Sequence, residues 1–331
     1  KNILMVKKRI NILLTCIGHA PKSFFLNKLK KSLKYHYEIV GTDTNKKAKN
    51  KKYVDYFYNV PNGNHKNFNN VIYKICLKHK IDIVLPAADE EVFSLIKDQK
   101  KFKNINCFLP ILNNKKLIQI SNKINLYRFV KKLNIPFYRW HSAKNYEELV
   151  KILDLYIRKH KSCVIKPPLS RGGRDIYVLF DNNKKKSRPS KLCRELHMGY
   201  VYFLKNFKKN KLNFPILVTD YLCPPVYDVD ILSFNGILKK IVIRKRKISS
   251  DPNRGHIIVK NNVILNYCKH IVKKMNLSYL LDFDIMHDNS NNPKLVEINP
   301  RMSGSISESY KKKFYLIDDL ISLIHRKKII Y

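Results

Sequence analysis

From residue 10 to residue 112, short apolar runs alternate with apolar stripes at helical spacing. This alternation leaves few folds open to the chain. Residues 10–17 form an apolar run that stops at Gly18, the pattern of a strand buried on both faces. Phe24, Phe25, Leu26, Leu29 and Leu33 then recur at the spacing of one helical face. Further strand-like runs lie at residues 37–41, 56–61, 81–86 and 106–110, and Val71, Ile72, Ile75 and Cys76 form a helical stripe among them. Asp89-Glu90-Glu91 opens the helix after the fourth run, where carboxylates meet the positive end of the helix dipole. The order predicts an α/β fold, an open parallel sheet with helices on both faces. Its functional loops belong at the carboxyl ends of the strands, near Gly18-His19, Asp43 and Ala87-Ala88-Asp89. One glycine follows the first run where a dinucleotide-binding turn needs three, so Asp43 reads as a turn aspartate and no nicotinamide cofactor is expected.

The pattern then changes. Residues 113–160 read as helical, with Leu117, Ile118, Ile120 and Ile124, then Leu126, Phe129, Val130 and Leu133, and a break at Asn134-Ile135-Pro136. Strand patterns follow at residues 161–167, 175–180, 215–220, 227–233 and 239–248, with a Lys-rich loop over 181–192 and a helix over 263–275. Residues 281–287 and 293–298 flank Asn289-Ser290-Asn291-Asn292 and predict an antiparallel hairpin. The second half is therefore α+β with antiparallel sheets, and the chain divides into a unit over 1–112 and another over 113–331.

Composition narrows the function. The chain of 331 residues carries 66 Lys plus Arg against 25 Asp plus Glu, a formal net charge of +41. With 44% apolar residues it buries a real core, which excludes wholesale disorder. The lysines are scattered over almost every segment and read as solvated faces. A nucleic-acid binder is the competing class, but no RNP-like aromatic motif, zinc finger or helix-turn-helix accompanies the charge. The apolar stretches, such as residues 12–17, fall far short of the ~20 needed to cross a bilayer. No signal-peptide cleavage site follows the basic start, so no membrane partner and a cytoplasmic location are expected. The seven cysteines include no C-x-x-C pair and the eleven histidines no H-x-x-x-H, which argues against a disulfide framework and a zinc site.

The hairpin carries the chemistry. Glu297 and Asn299 are two apart on one strand and project to one face, and Asp284 on the partner strand can meet them there. Two carboxylates and an amide oxygen are hard ligands suited to Mg²⁺ shared with phosphate oxygens. Arg301 follows, placed to hold a terminal phosphate. Lys166 sits on an apolar strand as a point charge for phosphate, and the turn Arg171-Gly172-Gly173-Arg174 lets backbone N–H groups approach phosphate oxygens. The strand ending at Asp220-Tyr221-Leu222 leaves into a segment able to meet a base edge.

In this order the elements resemble the ATP-grasp superfamily, and most closely the carbamoyl-phosphate-synthase-like, single-unit ATP-grasp ligases. The resemblance spans nearly the whole chain, and Glu297-Ile298-Asn299-Pro300-Arg301 is its most specific motif. It implies a pre-ATP-grasp domain over residues 1–112 and an ATP-grasp domain over 113–331. In the latter, a small lid lobe spans about 155–220 and a metal-binding lobe 221–331, and the nucleotide lies between two antiparallel sheets. It assigns Lys123, in Ser121-Asn122-Lys123, and Lys166 to the nucleotide phosphates, and Arg171, Gly172 and Gly173 to the loop over them. Asp220, Tyr221 and Leu222 become the hinge that takes the adenine, and Asp284, Glu297 and Asn299 the ligands of Mg²⁺ or Mn²⁺. Arg301 and Arg254 become the arginines of phosphoryl transfer, and Ser303-Gly304-Ser305 a donor to a substrate carboxylate. Two departures stand out. Asp175 stands where relatives usually carry another glycine, and Val226 where a ribose-binding glutamate often sits.

The implied activity is ATP-dependent. A carboxylate takes the γ-phosphoryl group, giving an acyl phosphate and ADP, and an amine then displaces phosphate. The partners expected are a small carboxylate and an amine. A homodimer is the assembly to expect, since relatives often dimerise. The competing enzyme is a carbamoyl-phosphate-synthase-like relative that ends at an acyl or carboxy phosphate. A degenerate ATP-binding regulator is a further alternative.

Overall fold

The computed structural model describes residues 7–18, 22–169, 175–187, 195–207 and 212–326. The first unit runs β1 (Lys8–Leu14), α1 (Lys22–Lys30), β2 (Tyr35–Asp43), β3 (Tyr56–Asn59), α2 (Phe68–Lys78), β4 (Ile83–Leu85), α3 (Asp89–Leu95) and α4 (Gln99–Lys103). Its four strands are parallel in the order β3-β2-β1-β4. The crevice between β1 and β4 is the point where strand order reverses. The fifth run read from the sequence forms no strand, and Phe108 makes only a bridge to Ile83. Asn106 turns the backbone at φ 56°, and Pro110 has no N–H to give, so too few residues remain for a ladder.

Next come α5 (Asn114–Ser121), α6 (Lys123–Lys132), β5 (Trp140–Ala143) and α7 (Tyr146–His160). Residues 113–160 are thus not helical throughout. The left-handed turn at Asn134 and the proline after it end the helical run, and residues 140–143 pair with the strand at 216–219. The second sheet adds β6 (Ser162–Lys166), β7 (Tyr177–Phe180), β8 (Leu196–Gly199), α8 (Tyr200–Asn206) and β9 (Ile216–Thr219), in the order β5-β9-β6-β7-β8. All its pairs are antiparallel except β7 with β8.

The third sheet holds β10 (Cys223–Phe234), β11 (Ile237–Arg246), β12 (His256–Ile258), β13 (Tyr279–His287) and β14 (Pro293–Asn299), with α9 (Asn262–Met275) between β12 and β13. It is antiparallel throughout, in the order β12-β11-β10-β13-β14, and the expected hairpin is β13–β14. Two helices close the chain, α10 (Ile306–Lys311) and α11 (Leu316–Arg326).

Three apolar cores hold these layers. One joins Leu13, Val40 and Val84 of the parallel sheet to α2, α5, α6, α9 and the third sheet, through Phe68, Leu126, Tyr127, Ile271 and Phe283. A second lies on the other side, where Ile12, Leu14, Phe25 and Leu29 meet Tyr310, Leu316, Leu320 and Ile324. The last two helices therefore return to pack on the first unit, and Asp318 of α11 accepts hydrogen bonds from Tyr37 (2.7 Å) and Ser32 (3.0 Å). A third core, around Leu153, Ile165, Leu179 and Phe203, belongs to the second sheet with α7 and α8. Among the described residues no helix is long and apolar enough to cross a membrane.

One buried cation ties the third sheet to the loop after it. Arg244 is fully buried. Its guanidinium donates to Asp230 (2.8 Å), to the Ser303 hydroxyl (2.9 Å) and to the Ser305 hydroxyl (2.6 Å). Removing it would leave Asp230 as an uncompensated buried charge, so Arg244→Ala should destabilise the protein by about 3–5 kcal/mol, read as a lowered urea midpoint. Arg244→Lys keeps the charge but not the planar fork, and should recover only part of that loss.

Candidate active site

Strand pairing decides which charges meet. Asp284 lies directly opposite Glu297, and Asp282 opposite Asn299, so all four share one face of β13–β14. On the other side of β13, Asp228 lies opposite Asp284 and Asp230 opposite Asp282. Like charges in direct register repel, and here Arg246 separates them. Its guanidinium forms a close pair with Asp228 and lies 3.1 Å from Asp284 Oδ2. His256 on β12 pairs with the other oxygen of Asp228. At the far edge Lys123 lies 3.0 Å from Glu297 Oε2. A row of charges, His256, Arg246, Asp228, Asp284, Glu297 and Lys123, thus crosses all five strands of the sheet.

Each cation is placed by local chemistry. Asn122 caps α6 by accepting from the Ile124 N–H (2.8 Å), which makes Lys123 the first helical residue. A cation there opposes the helix dipole, and Glu297 offsets it. Lys166 ends β6, buried, and its Nζ donates to the Tyr138 hydroxyl (3.3 Å) beneath the Tyr127 ring at 5.4 Å. The Tyr127 hydroxyl meets Tyr138 (2.6 Å) and donates to the Val296 carbonyl (3.2 Å), so two tyrosines link Lys166 to the strand that bears Glu297. Burial, with Lys123 nearby, lowers the Lys166 pKa to about 7. Arg301 leaves β14 and returns over the face, donating to the Met302 carbonyl (3.1 Å) and to Asn299 Oδ1 (3.4 Å).

The acids show the strain of this crowding. Burial pushes the Asp284 carboxyl up to about 7 against the pull of Arg246, and Asp228 and Glu297 add to the rise. Asp282 is raised well above the carboxylate range by burial, Asp284 and Asp228, and one of its oxygens makes no hydrogen bond. Glu297 goes the other way, because Lys123 and its hydrogen bond outweigh burial. Carboxylates Asp228, Asp230, Asp282, Asp284 and Glu297 thus stand among the cations Arg244, Arg246, Arg301 and Lys123, and burial with neighbouring acids holds Asp282 and Asp284 above the usual carboxylate range, a cost that a divalent cation would relieve. Among the described residues no three His, Cys, Asp or Glu side chains converge as a self-sufficient metal cage. Two carboxylates and the Asn299 amide suit instead a magnesium ion that draws its remaining ligands from phosphate and water.

The other residues singled out in the sequence fare differently. Arg171, Gly172 and Gly173 lie outside the described residues. Asp175 beyond them has φ 56°, a left-handed backbone that glycine takes readily and aspartate tolerates. Asp220, Tyr221 and Leu222 form the link from β9 to β10, but the Asp220 carboxylate accepts from the Arg139 N–H (3.0 Å) and pairs with its side chain. Arg254 is exposed and pairs with Asp251 in its own turn, which gives it no part in the charge row. Asp43 accepts from the Gly18 and Asn45 N–H groups (2.7 and 2.8 Å), as a turn aspartate does. Sequence reasoning missed Asp228, Asp230, Asp282, Arg244, Arg246 and His256. For all but His256 the signal was present as charged pairs two residues apart on apolar strands, Asp228 with Asp230, Arg244 with Arg246 and Asp282 with Asp284.

The family described as ATP-grasp in the biosynthetic pathway with Ter operon matches residues 213–326, and the PylC-like N-terminal domain matches residues 12–110. Among solved structures, the chain is similar to an L-amino acid ligase from Bacillus licheniformis at TM-score 0.64 and 14% identity, covering 96% of this chain and 75% of that one. It is also similar to a biotin carboxylase–beta-gamma-ATP complex from Campylobacter jejuni, at TM-score 0.66 and 13% identity over 94% and 70% of the two chains. N5-carboxyaminoimidazole synthetase from Staphylococcus aureus complexed with ADP gives TM-score 0.64 and 11% identity over 95% and 78%. At these identities the likeness shows the fold. No curated protein matches the sequence.

The crowding of acids predicts a trade between stability and ligand binding. The folded pKa of Asp284 lies above its ordinary value of 3.8, so ionisation costs stability as pH rises from about 4 to about 7, and the full cost remains above that. Asp284→Asn should therefore raise the melting temperature of the ligand-free protein at pH ~8, with the gain vanishing below pH ~4. The same variant should lose stabilisation by Mg²⁺ with nucleotide. Differential scanning fluorimetry across pH checks both.

Proposed function

The chain belongs to the ATP-grasp superfamily, and from that premise we propose that it is a Mg²⁺- and ATP-dependent ligase. It would activate a carboxylate as an acyl phosphate and join it to an amine, with release of ADP and phosphate. One observation carries this reading. Asp284 and Glu297 face each other across β13–β14 with Asn299 on the same face, and Lys123 and Arg301 close over them.

Asp284, Glu297 and Asn299 would hold Mg²⁺, or Mn²⁺ in its place, since all three offer hard oxygen donors. Bound there, the ion supplies neutralisation of the β- and γ-phosphate oxygens. The rest falls to side chains. Lys123 and Lys166 would hold α- and β-phosphate oxygens. Lys166, buried among tyrosines with a pKa near 7, would gain a proton-stabilising partner when phosphate arrives. Arg301 would neutralise the transferring phosphoryl group, and Arg171, Gly172 and Gly173 would be further contacts to the phosphates. With the Asp220 carboxylate held by Arg139, the backbone of Tyr221 and Leu222 is left to meet the adenine edge. Positioning and charge neutralisation are what phosphoryl transfer asks of a protein. Carboxylate oxygen then attacks the γ-phosphorus as the bond to ADP breaks, and amine nitrogen displaces phosphate from the acyl carbon. The likeness to an L-amino acid ligase makes amino acids the first carboxylates and amines to try.

Mg-ATP at millimolar concentration should raise the melting temperature by mass action, and the absence of any shift would sink the ligase reading. Glu297→Gln should keep the fold by circular dichroism and lower ADP release, assayed against pools of amino acids and small carboxylates, by about a hundredfold or more. Lys166→Met should weaken Mg-ATP binding by about tenfold in calorimetry.

A further inference from the structure

The arginine assigned to the transferring phosphoryl group is held from outside the sheet it grows on. Arg301 Nε lies 2.9 Å from Asp89 Oδ1, and Asp89 belongs to the parallel-sheet unit, as the first residue of α3 just after the loop from β4. The N–H is not aimed at that oxygen, so the contact is one of charge. The next acid is Asp282, at 3.9 Å from Nη1, with Glu297 and Asp284 beyond it. Asp89 is therefore the nearest formal counter-charge to Arg301 and engages the Nε side. Nη1 and Nη2 stay on the side of Met302, Asn299 and Asp282, towards the metal-binding face.

Two features make this anchor stiff. The loop before Asp89 is pinned from behind. Glu91 accepts from the Ala87 and Ala88 N–H groups (3.2 and 3.1 Å), and from the Thr15 hydroxyl of the segment that follows β1, while Thr15 also accepts from Ala87 (2.9 Å). Beneath the pair lies an apolar seam where Leu85, Pro86 and Pro110 of the first unit meet Leu280, Pro300, Met302 and Leu320. A charge contact beside such a lining is weakly screened, so it fixes orientation more firmly than a surface pair would.

We propose that Asp89 is a positioning residue that orients Arg301 toward the γ-phosphate, so that the parallel-sheet unit completes the phosphoryl-transfer site across the junction. This inference rests on the ligase reading. Asp89 itself touches no nucleotide. It acts through Arg301, and its contribution belongs to the terminal phosphate alone.

Isothermal titration calorimetry with Mg-ADP and with Mg-AMP-PNP separates the alternatives without knowledge of the acceptor. The full-length wild type should bind Mg-AMP-PNP more tightly than Mg-ADP. Asp89→Asn should weaken Mg-AMP-PNP by about tenfold and change Mg-ADP by less than about twofold, and Asp89→Glu should restore most of the preference. Melting temperatures of both variants report on the fold. If Asp89→Asn keeps the wild-type preference, or weakens both nucleotides alike, the residue is only a link between the two units and the inference fails. Equal affinity of the wild type for the two nucleotides would overturn it too, leaving the nucleotide site standing. Wild type that binds neither would instead bring down the ligase reading on which it rests.

Discussion

Everything at the site depends on one guanidinium between two aspartates. Strand register sets Asp228 directly against Asp284 in the interior of a sheet, an arrangement that repels unless a cation intervenes. Arg246 intervenes, and because its fork is planar it meets both carboxylates at once. The alternation then extends in both directions, to His256 on the last-paired strand and through Glu297 to Lys123 at the start of α6. A sheet face that would otherwise be apolar becomes a row of alternating sign, which the proposed metal and nucleotide phosphates would continue.

This arrangement is expensive in free energy, which is informative. Buried ion pairs contribute little net stability against apolar replacements, and here the carboxyls of Asp282 and Asp284 are pushed up by burial and by neighbouring acids. The second row is no better placed, since Arg244 meets Asp230 and two serine hydroxyls but leaves Asp282 at 3.7 Å. Apolar cores on both faces of the parallel sheet and within the lobe around α7 supply the stability that this face does not. Local strain at a functional site, offset elsewhere in the fold, is the pattern expected of binding machinery.

What the sequence made legible follows from range. The hairpin and the shared face of its three oxygen-bearing side chains were readable because strand period and a turn signal act within twenty residues. Asp284, Glu297 and Asn299 do share a face, opposed in register as two-residue alternation requires. The βα alternation was equally local, and the parallel sheet follows it. What stayed hidden depends on pairing between distant segments. Nothing near residue 140 announces that Trp140–Ala143 will pair with Ile216–Thr219, and nothing near Asp228 announces that Asp284 will face it. Arg254 illustrates the converse case. It was chosen for its place along the chain, yet its turn leaves it exposed beside Asp251. The return of α10 and α11 to the first unit was invisible for the same reason, although α11 carries the apolar stripe Leu316, Ile317, Leu320, Ile321 and Ile324.

Composition bears on the question in a way that becomes visible only with the fold. Cations outnumber acids by 66 to 25, so an acid drawn at random from this chain should sit among lysines. Instead Asp89, Asp228, Asp230, Asp282, Asp284 and Glu297 gather around one sheet face and its junction with the parallel-sheet unit, with Asp228, Asp230 and Asp282 buried and the other three half-buried. A surplus of lysine spread over a surface needs no function and raises only a diffuse field. A quarter of the acids concentrated where arginines, an asparagine and a capped lysine converge suits a ligand whose charge alternates in the same way, as the proposed metal bound to a polyphosphate would.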